Sequence, residues 1–240
     1  MSIRASAGAA RGSTHAKMSP DNVVSPSLQI AEIFRSIQGE STRAGLPCTF
    51  VRLTGCNLRC TWCDTEYSFY GGTRMTLDEV AGKVVDFGGK LVEITGGEPL
   101  LQLPVYALMD RLLADGYRVM LETSGERPVN RVPPQVIKII DVKCPNSGEP
   151  DTFHLANLDH LTPHDELKFV ITTRRDYEFA RDFTTQHELA DRTAAVIFSP
   201  VHGQTSLPDL AQWMMDDGLE QVRFGHQLHK TIWSADAQGV

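Results

Sequence analysis

The chain has 240 residues, of which 41% are hydrophobic, so it is long enough to bury a sizeable core in one large domain. Its formal net charge of −7 excludes the broadly basic surface of a typical nucleic-acid-binding protein and favours a small molecule or a protein as the partner. No apolar run approaches the roughly 18 residues that a membrane-spanning helix needs, so no membrane partner is expected.

The first 28 residues differ in composition from the rest of the chain. They are rich in Ala, Ser, Gly and Arg, and they lack the apolar central region of a secretory signal. We therefore expect residues 1–28 to be a disordered leader and residues 29–240 to form a single core domain without an internal linker.

Apolar segments and turn residues predict alternating strands and helices in the rest of the chain. Strands are predicted at residues 29–34, 49–53, 91–95, 118–122, 136–143, 166–171, 194–198 and 221–224, and helices at residues 76–87, 100–115, 172–183 and 207–217. This alternation predicts an α/β fold with a mostly parallel sheet and helical crossovers. We expect about six parallel strands, too few for a closed eight-stranded barrel, and therefore an open partial (β/α) barrel. A flat doubly wound sheet is the second choice.

Polar or glycine-rich clusters follow several of the predicted strands. They lie at residues 54–65, 96–99, 123–125, 144–145 and 199–203. In both architectures the carboxyl ends of the parallel strands form the active-site face, so we expect these clusters to converge.

Three cysteines lie in the first cluster, where Cys56, Cys60 and Cys63 have the spacing C-x3-C-x2-C. Thiolates are the usual ligands of iron–sulfur clusters, and three of them leave one iron of a [4Fe–4S] cluster open to a further ligand. A structural zinc site, with a histidine or Cys144 as its fourth ligand, is the alternative and would make the chain a non-enzymatic scaffold protein. An odd total of five cysteines without an export signal argues against disulfides and favours a cytoplasmic protein.

The cysteine loop, with Trp62 just before its last cysteine, resembles the signature of the radical S-adenosylmethionine (SAM) superfamily. Residues 95–99, with the sequence Thr-Gly-Gly-Glu-Pro, are similar to that superfamily's second element, which contacts the amino group of SAM. The resemblance implies a radical SAM type of partial barrel. It also implies a [4Fe–4S] cluster and SAM as cofactors, with SAM cleaved to a 5′-deoxyadenosyl radical. Glu98 is expected to accept a hydrogen bond from the SAM ammonium group.

Further segments narrow the resemblance to the 7-carboxy-7-deazaguanine synthase family. They cover roughly residues 29–240 and are Ile37-Gln38-Gly39-Glu40, Phe50-Val51-Arg52, Cys63-Asp64-Thr65, Glu122-Thr123-Ser124-Gly125, Asp141-Val142-Lys143 and Gln227-Leu228-His229-Lys230. That family converts 6-carboxy-5,6,7,8-tetrahydropterin to 7-carboxy-7-deazaguanine and releases ammonia, in the pathway to queuosine and other 7-deazapurines. The resemblance implies a homodimeric lyase that receives electrons from a donor such as flavodoxin or ferredoxin.

The resemblance also assigns roles to matching residues, while the radical chemistry itself belongs to SAM and the cluster. The three cysteines hold the cluster, and Thr65 supplies a hydroxyl ligand to Mg²⁺, a cation that takes few protein ligands. The residues expected to contact the pterin are Ile37, Gln38, Gly39, Arg52, Thr95, Glu122 and the terminal Val240. Those expected to contact SAM are Trp62, Gly97, Asp141, Val142, Lys143, Ser199, Pro200, Val201 and His202. An Arg fork suits the substrate carboxylate, and a Glu carboxylate suits the guanidine-like edge of a pterin.

One other class of radical SAM enzyme has the same cysteine loop and glycine pair. A radical SAM activase installs a glycyl radical on a partner protein. Such an enzyme has no need of a small-molecule pocket built from residues 38–40 and Arg52, so the resemblance favours the synthase.

Overall fold

The computed structural model describes residues 25–234 and 237–240. Its strands are β1 Ser27–Ile37, β2 Pro47–Leu53, β3 Thr73–Thr76, β4 Leu91–Gly96, β5 Arg118–Thr123, β6 Ile137–Asp141, β7 Glu166–Ile171, β8 Ala195–Pro200 and β9 Val222–Phe224. Its helices are α1 Leu77–Phe87, α2 Val105–Ala114, α3 Arg174–Gln186, α4 Leu189–Arg192, α5 Leu207–Asp216 and α6 Leu228–Ile232. The described strands form one nine-stranded sheet in the order β3-β1-β2-β4-β5-β6-β7-β8-β9.

The sheet is open and largely parallel, which confirms the expected fold class. We expected about six parallel strands. Within the described residues there are seven, namely β2, β4, β5, β6, β7, β8 and β9. Two strands, β1 and β3, run antiparallel to their neighbours in the sheet. Strand β1 is antiparallel to β2 because the short turn between them reverses the chain, whereas a parallel pair needs a long crossover. Strand β3 is antiparallel to β1 and has no apolar alternation that could have predicted it.

Two helix ends follow their sequence signals. A capping box with the Thr-x-x-Glu spacing forms at α1, where the Thr76 hydroxyl accepts from the Glu79 N–H at 3.2 Å and the Glu79 carboxylate accepts from the Thr76 N–H at 2.7 Å. Gly116 follows α2 with φ of 77°, the left-handed conformation expected of the glycine that ends a helix.

The strands separate an outer core from an inner space because successive side chains point to opposite faces. Outer side chains pack beneath the helices, and they include Val51, Ile94, Leu121, Ile140, Leu167 and Phe198. Inner side chains near the amino ends of the strands form a second apolar cluster of Cys48, Leu91, Met120, Ile137 and Ile139. Towards the carboxyl ends the inner side chains become polar, as at Arg52, Glu122 and Lys168. The interior is thus apolar at its base and polar where a ligand can enter.

Most of the expected leader, residues 1–24, lies outside the described residues. The composition boundary at residue 28 is too late, however. Ser27 and Leu28 begin β1 and pair with Thr76 and Met75, and Leu28 is 1% exposed. A composition shift could not reveal this pairing with a distant strand. No helix among the described residues is long and apolar enough to cross a membrane.

Candidate active site

A cavity of about 680 Å³ opens at the carboxyl ends of the parallel strands. All of the residues that the resemblance assigns to a ligand lie on its wall, with the exceptions of Glu98 and Val142. Those on the wall are Ile37, Gln38, Gly39, Arg52, Cys56, Cys60, Trp62, Cys63, Thr65, Thr95, Gly97, Glu122, Asp141, Lys143, Ser199, Pro200, Val201, His202 and Val240. The expected convergence of the strand-end clusters is therefore present in the fold, while the individual roles stay predictions.

Val142 does not present its side chain to the cavity. It is 1% exposed and packs in the outer core, and its N–H donates to the Lys168 carbonyl at 2.8 Å. Because Asp141 faces the cavity, its neighbour in an extended segment faces the opposite side. The Val142 side chain therefore does not reach the SAM wall, and a contact of residue 142 with SAM through its backbone stays a prediction.

The three loop cysteines are free and half-buried on the cavity wall. The Thr61 N–H donates to the Ser147 carbonyl at 2.9 Å and the Cys63 N–H donates to the Cys60 carbonyl at 3.2 Å, and these bonds hold the loop in shape. Burial raises the pKa of the Cys56 and Cys60 thiols, so metal binding must displace their protons. Three thiols facing one cavity fit an iron–sulfur cluster in donor type and number.

The other two cysteines do not join this group. Cys48 lies in the apolar base of the interior and Cys144 lies in the outer core, and neither is on the cavity wall. Within residues 25–234 and 237–240, no three His, Cys, Asp or Glu side chains gather closely enough to hold a single metal ion. Cys144 therefore does not complete a four-ligand zinc site with the loop.

The glycine pair after β4 packs directly against the cysteine loop. A Cβ atom on Gly97 would lie 2.1 Å from the Gly55 carbonyl oxygen and 2.8 Å from the Cβ of Cys56. The Gly97 N–H donates to the Leu53 carbonyl at 3.2 Å, and the Glu98 N–H donates to the Gly55 carbonyl at 2.8 Å. Only glycine allows this close backbone approach, which sets the position of the first cluster ligand.

We expect Gly97→Ala to displace the cysteine loop and to lower the rate of SAM cleavage by about a hundredfold, the usual effect of a 1 Å misplacement in an active site. Iron and sulfide content and SAM cleavage by the reconstituted protein measure the effect. Gly82→Ala is the matched control, because a Cβ there meets nothing within 4 Å in the exposed face of α1. It should keep full cleavage and gain about 0.5–1 kcal/mol of stability. Equal cleavage by both variants would contradict the packing argument.

Glu98 has a structural function that the sequence does not reveal. Its side chain is fully buried and accepts hydrogen bonds from the Thr123 hydroxyl at 2.9 Å, the Ser124 N–H at 2.8 Å and the Ser124 hydroxyl at 2.7 Å. The Leu100 N–H adds a fourth donor at 3.0 Å. The expected contact of Glu98 with the SAM ammonium stays a prediction, while in this structure these four donors occupy its carboxylate. Its carboxylate joins the ends of β4 and β5.

Asp141 carries an acceptor oxygen that fits a bound ligand. One of its oxygens accepts from the Lys143 ammonium at 2.8 Å, but Oδ1 is buried without a hydrogen-bond partner among the described residues. Burial alone would lower the pKa of Lys143, but the charge and hydrogen bond of Asp141 together with the nearby Cys60 raise it, so Lys143 stays a cation. A buried oxygen without a donor costs stability, and a hydroxyl or ammonium group of a ligand would satisfy it. SAM carries both groups.

Lys168, which pairs in register with Asp141 on the neighbouring strand, connects two carboxylates of the cavity wall. Its ammonium lies 2.9 Å from Oε2 of Glu40 and also donates to Glu122, which accepts from the Thr95 hydroxyl at 3.1 Å. Burial alone would lower the pKa of Lys168, but Glu122 and Glu40 raise it well above its usual value. Sequence reasoning missed Lys168. A lysine inside a buried strand, four of whose six residues are apolar, was the available signal.

Arg52 is poised for an anionic ligand. Its Nε donates to Oε1 of Glu32 at 2.7 Å, and its guanidinium lies 5.8 Å from the ring centre of Phe34 and 6.0 Å from that of Tyr67. Its remaining N–H groups have no hydrogen-bond partner in the part of the chain that the structure describes. These groups are free to pair with a carboxylate.

The C-terminal segment, of which residues 227–234 and 237–240 are described, covers the cavity from one side. The Leu228 N–H donates to the Gly39 carbonyl at 2.9 Å, and the Lys230 ammonium donates to Asp64 beside the last loop cysteine at 2.6 Å. A Cβ on Gly39 would lie 2.1 Å from Nδ1 of His229, so Gly39 is needed for this packing. The segment thus contacts both the turn after β1 and the cysteine loop.

Known proteins resemble this chain over most of its length. The radical SAM superfamily model matches residues 50–155. The 7-carboxy-7-deazaguanine synthase of Koribacter versatilis is 54% identical over 89% of this chain and 100% of that protein. The synthase of Chlorobaculum tepidum is 45% identical over 89% of this chain and 97% of that protein. The crystal structure of QueE from Escherichia coli has a TM-score of 0.71 with 22% identity, over 88% of this chain and 100% of that one. This last likeness supports the open partial barrel.

Proposed function

Because this chain belongs to the 7-carboxy-7-deazaguanine synthase family of the radical SAM superfamily, we propose that it converts 6-carboxy-5,6,7,8-tetrahydropterin to 7-carboxy-7-deazaguanine with release of ammonia. The reaction belongs to the route to queuosine and other 7-deazapurines. The observation that carries the proposal is that the cysteine loop, Arg52 and Glu122 line the same cavity.

The chain holds its cofactors with two groups of residues. Cys56, Cys60 and Cys63 bind the [4Fe–4S] cluster, and Asp141 with its unpaired oxygen binds SAM. Trp62, Gly97, Lys143 and residues 199–202 complete the SAM wall. When bound, the cluster and SAM supply the radical that removes a hydrogen atom from the substrate.

The protein's own contribution is to bind and orient the pterin. The free N–H groups of Arg52 pair with the substrate carboxylate, and Glu122 accepts from the amino and ring N–H donors of the pterin. Lys168 and Thr95 hold the Glu122 carboxylate in place. The C-terminal segment, including Val240, excludes water from the substrate.

Magnesium, a reductant and a second subunit complete the proposal. The Thr65 hydroxyl lies on the cavity wall, 3.7 Å from the sulfur of Cys63, where Mg²⁺ can bind it together with water and substrate oxygens. A flavodoxin or ferredoxin supplies electrons, and the enzyme acts as a homodimer in the cytoplasm, where thiols stay reduced.

The test is anaerobic turnover by reconstituted protein with carboxytetrahydropterin, SAM, a reductant and Mg²⁺. We expect a product with the mass of 7-carboxy-7-deazaguanine, and a slower rate when Mg²⁺ is omitted. A preparation that cleaves SAM but gives no such product would reject the substrate. A glycyl-radical activase would give SAM cleavage without this product, and a zinc scaffold would give neither.

A further inference from the structure

Glu93 is a buried carboxyl group on the cavity wall that the proposed reaction leaves without a role. It lies on β4 two residues before Thr95, so both side chains point to the inner face. Only 2% of Glu93 is exposed to solvent. A charged residue in the middle of a buried strand is costly unless it is paired and hydrogen-bonded.

Gln38 holds Glu93 in a defined orientation. The side-chain oxygen of Gln38 accepts from the N–H groups of Glu40 at 2.7 Å and Ser41 at 3.0 Å. The Gln38 amide nitrogen must therefore point the other way, where it donates to Oε2 of Glu93 at 3.0 Å. One oxygen of the Glu93 carboxyl group thus has a permanent donor.

The surroundings of Glu93 disfavour a negative charge. Its titratable and charged neighbours are Cys48 on β2, Glu122 on β5, Glu40 in the turn after β1, and Lys168 on β7. The one cation among them, Lys168, donates to Glu40 and Glu122 rather than to Glu93. Burial, and then the charge of Glu122, raise the pKa of Glu93 to about 8. At neutral pH the group is a carboxylic acid with an O–H to donate.

We propose that Glu93 is a specificity-determining residue that donates a hydrogen bond as a neutral acid to an acceptor atom of the pterin ring. This rests on the proposed function. Glu122 on the neighbouring strand accepts as a carboxylate, so the two groups together present one donor and one acceptor to the substrate. The pyrimidinone edge of a reduced pterin has the complementary pattern, because a carbonyl oxygen lies beside a ring N–H and an amino group. A ring that lacks this carbonyl would leave the acid of Glu93 unpaired.

The test compares Glu93→Ala with Glu93→Gln in the reconstituted holoenzyme at pH 7. We expect Glu93→Ala to raise KM for carboxytetrahydropterin by about tenfold to a hundredfold, the effect of one lost hydrogen bond to a buried group. Glu93→Gln should restore KM to within about threefold, because an amide keeps both the Gln38 bond and a donor for the substrate. An unchanged KM in Glu93→Ala, or an equally high KM in Glu93→Gln, would overturn the proposal.

The pH dependence separates this function from simple packing. The wild-type KM should rise between pH 7 and 9 as Glu93 loses its proton, and the KM of Glu93→Gln should not. Folding stability also falls as pH rises. Because the pKa of Glu93 rises from 4.5 to about 8 on folding, ionisation of Glu93 destabilises the native state between these two pH values. The Tm of Glu93→Gln should therefore increase relative to that of wild type as pH rises.

A purely structural Glu93 would lower Tm in the Ala variant and leave the wild-type KM flat with pH, which would contradict the proposal. Failure of the wild-type enzyme to form product would instead reject the proposed function. The two failures are therefore distinguishable.

Discussion

Replacing any one of Cys56, Cys60 or Cys63 with alanine is expected to abolish SAM cleavage. These three cysteines lie on the cavity wall, whereas the other two cysteines of the chain lie in apolar cores. Each variant keeps only two of the three thiolates that hold the cluster. A cluster with one protein ligand missing is lost, or it loses the iron that should stay open for SAM. The iron and sulfide content of the reconstituted variants should fall well below the roughly four of each that a [4Fe–4S] cluster contains. The rate of SAM cleavage should fall to background.

Cys48→Ala is the matched control because it removes the same atom type from the same interior. Cys48 is fully buried at the apolar base, where it packs with Leu91 and Met120. Its loss should cost about 1 kcal/mol of folding stability and leave the cluster content unchanged. Cluster loss in Cys48→Ala, or full SAM cleavage in any loop variant, would show that the cluster does not bind at the loop.

Replacing Glu122 with glutamine is expected to lower kcat/KM for carboxytetrahydropterin by about 10–10², because a charge-assisted hydrogen bond to the bound pterin is lost. The Lys168 ammonium donates to one oxygen of Glu122, and the Thr95 hydroxyl donates to the other at 3.1 Å. The amide removes the negative charge and half of the acceptor capacity that face the pterin donors. Steady-state kinetics measure the loss, while SAM binding should persist because Asp141 and the cysteine loop are untouched.

The control for this change is Glu178→Gln, which removes a carboxylate from the surface of α3. Glu178 accepts from Arg174 at 3.0 Å in an exposed pair, which contributes less than about 1 kcal/mol. It should leave kcat/KM unchanged. A wild-type kcat/KM in Glu122→Gln would contradict the assigned substrate contact. Glu93→Gln makes the same chemical change on the adjacent strand, and we expect it to have only a small effect on KM. Comparing the two variants distinguishes a site that needs a negative charge, at Glu122, from a site that needs a hydrogen-bond donor, at Glu93.

Much of the architecture could be predicted from local patterns. Short apolar segments between helical patterns mark the parallel strands, and motifs after these strands meet because parallel strands share one carboxyl edge. The capping box at Thr76 and the glycine after α2 behave as their residue types require. These features depend on neighbours within a few positions, which the sequence displays directly.

Long-range contacts could not be predicted in this way. Lys168 and Glu40 are 128 positions apart, and Lys230 and Asp64 are 166 positions apart, so no local pattern joins them. The function of Glu98 depends on Thr123 and on the fold around it. A polar residue within a buried strand, as at Glu93, is nevertheless a usable signal, because such strands are otherwise nearly all apolar.

The central claim is that three cysteines hold a [4Fe–4S] cluster whose fourth iron receives SAM. Electron paramagnetic resonance of the reduced holoenzyme, recorded with and without SAM, tests it most directly. The account predicts a [4Fe–4S]⁺ signal whose g-values shift when SAM is added, since the cofactor binds the open iron. A protein that shows no such signal after reconstitution, or one whose signal is the same in both samples, would contradict the claim.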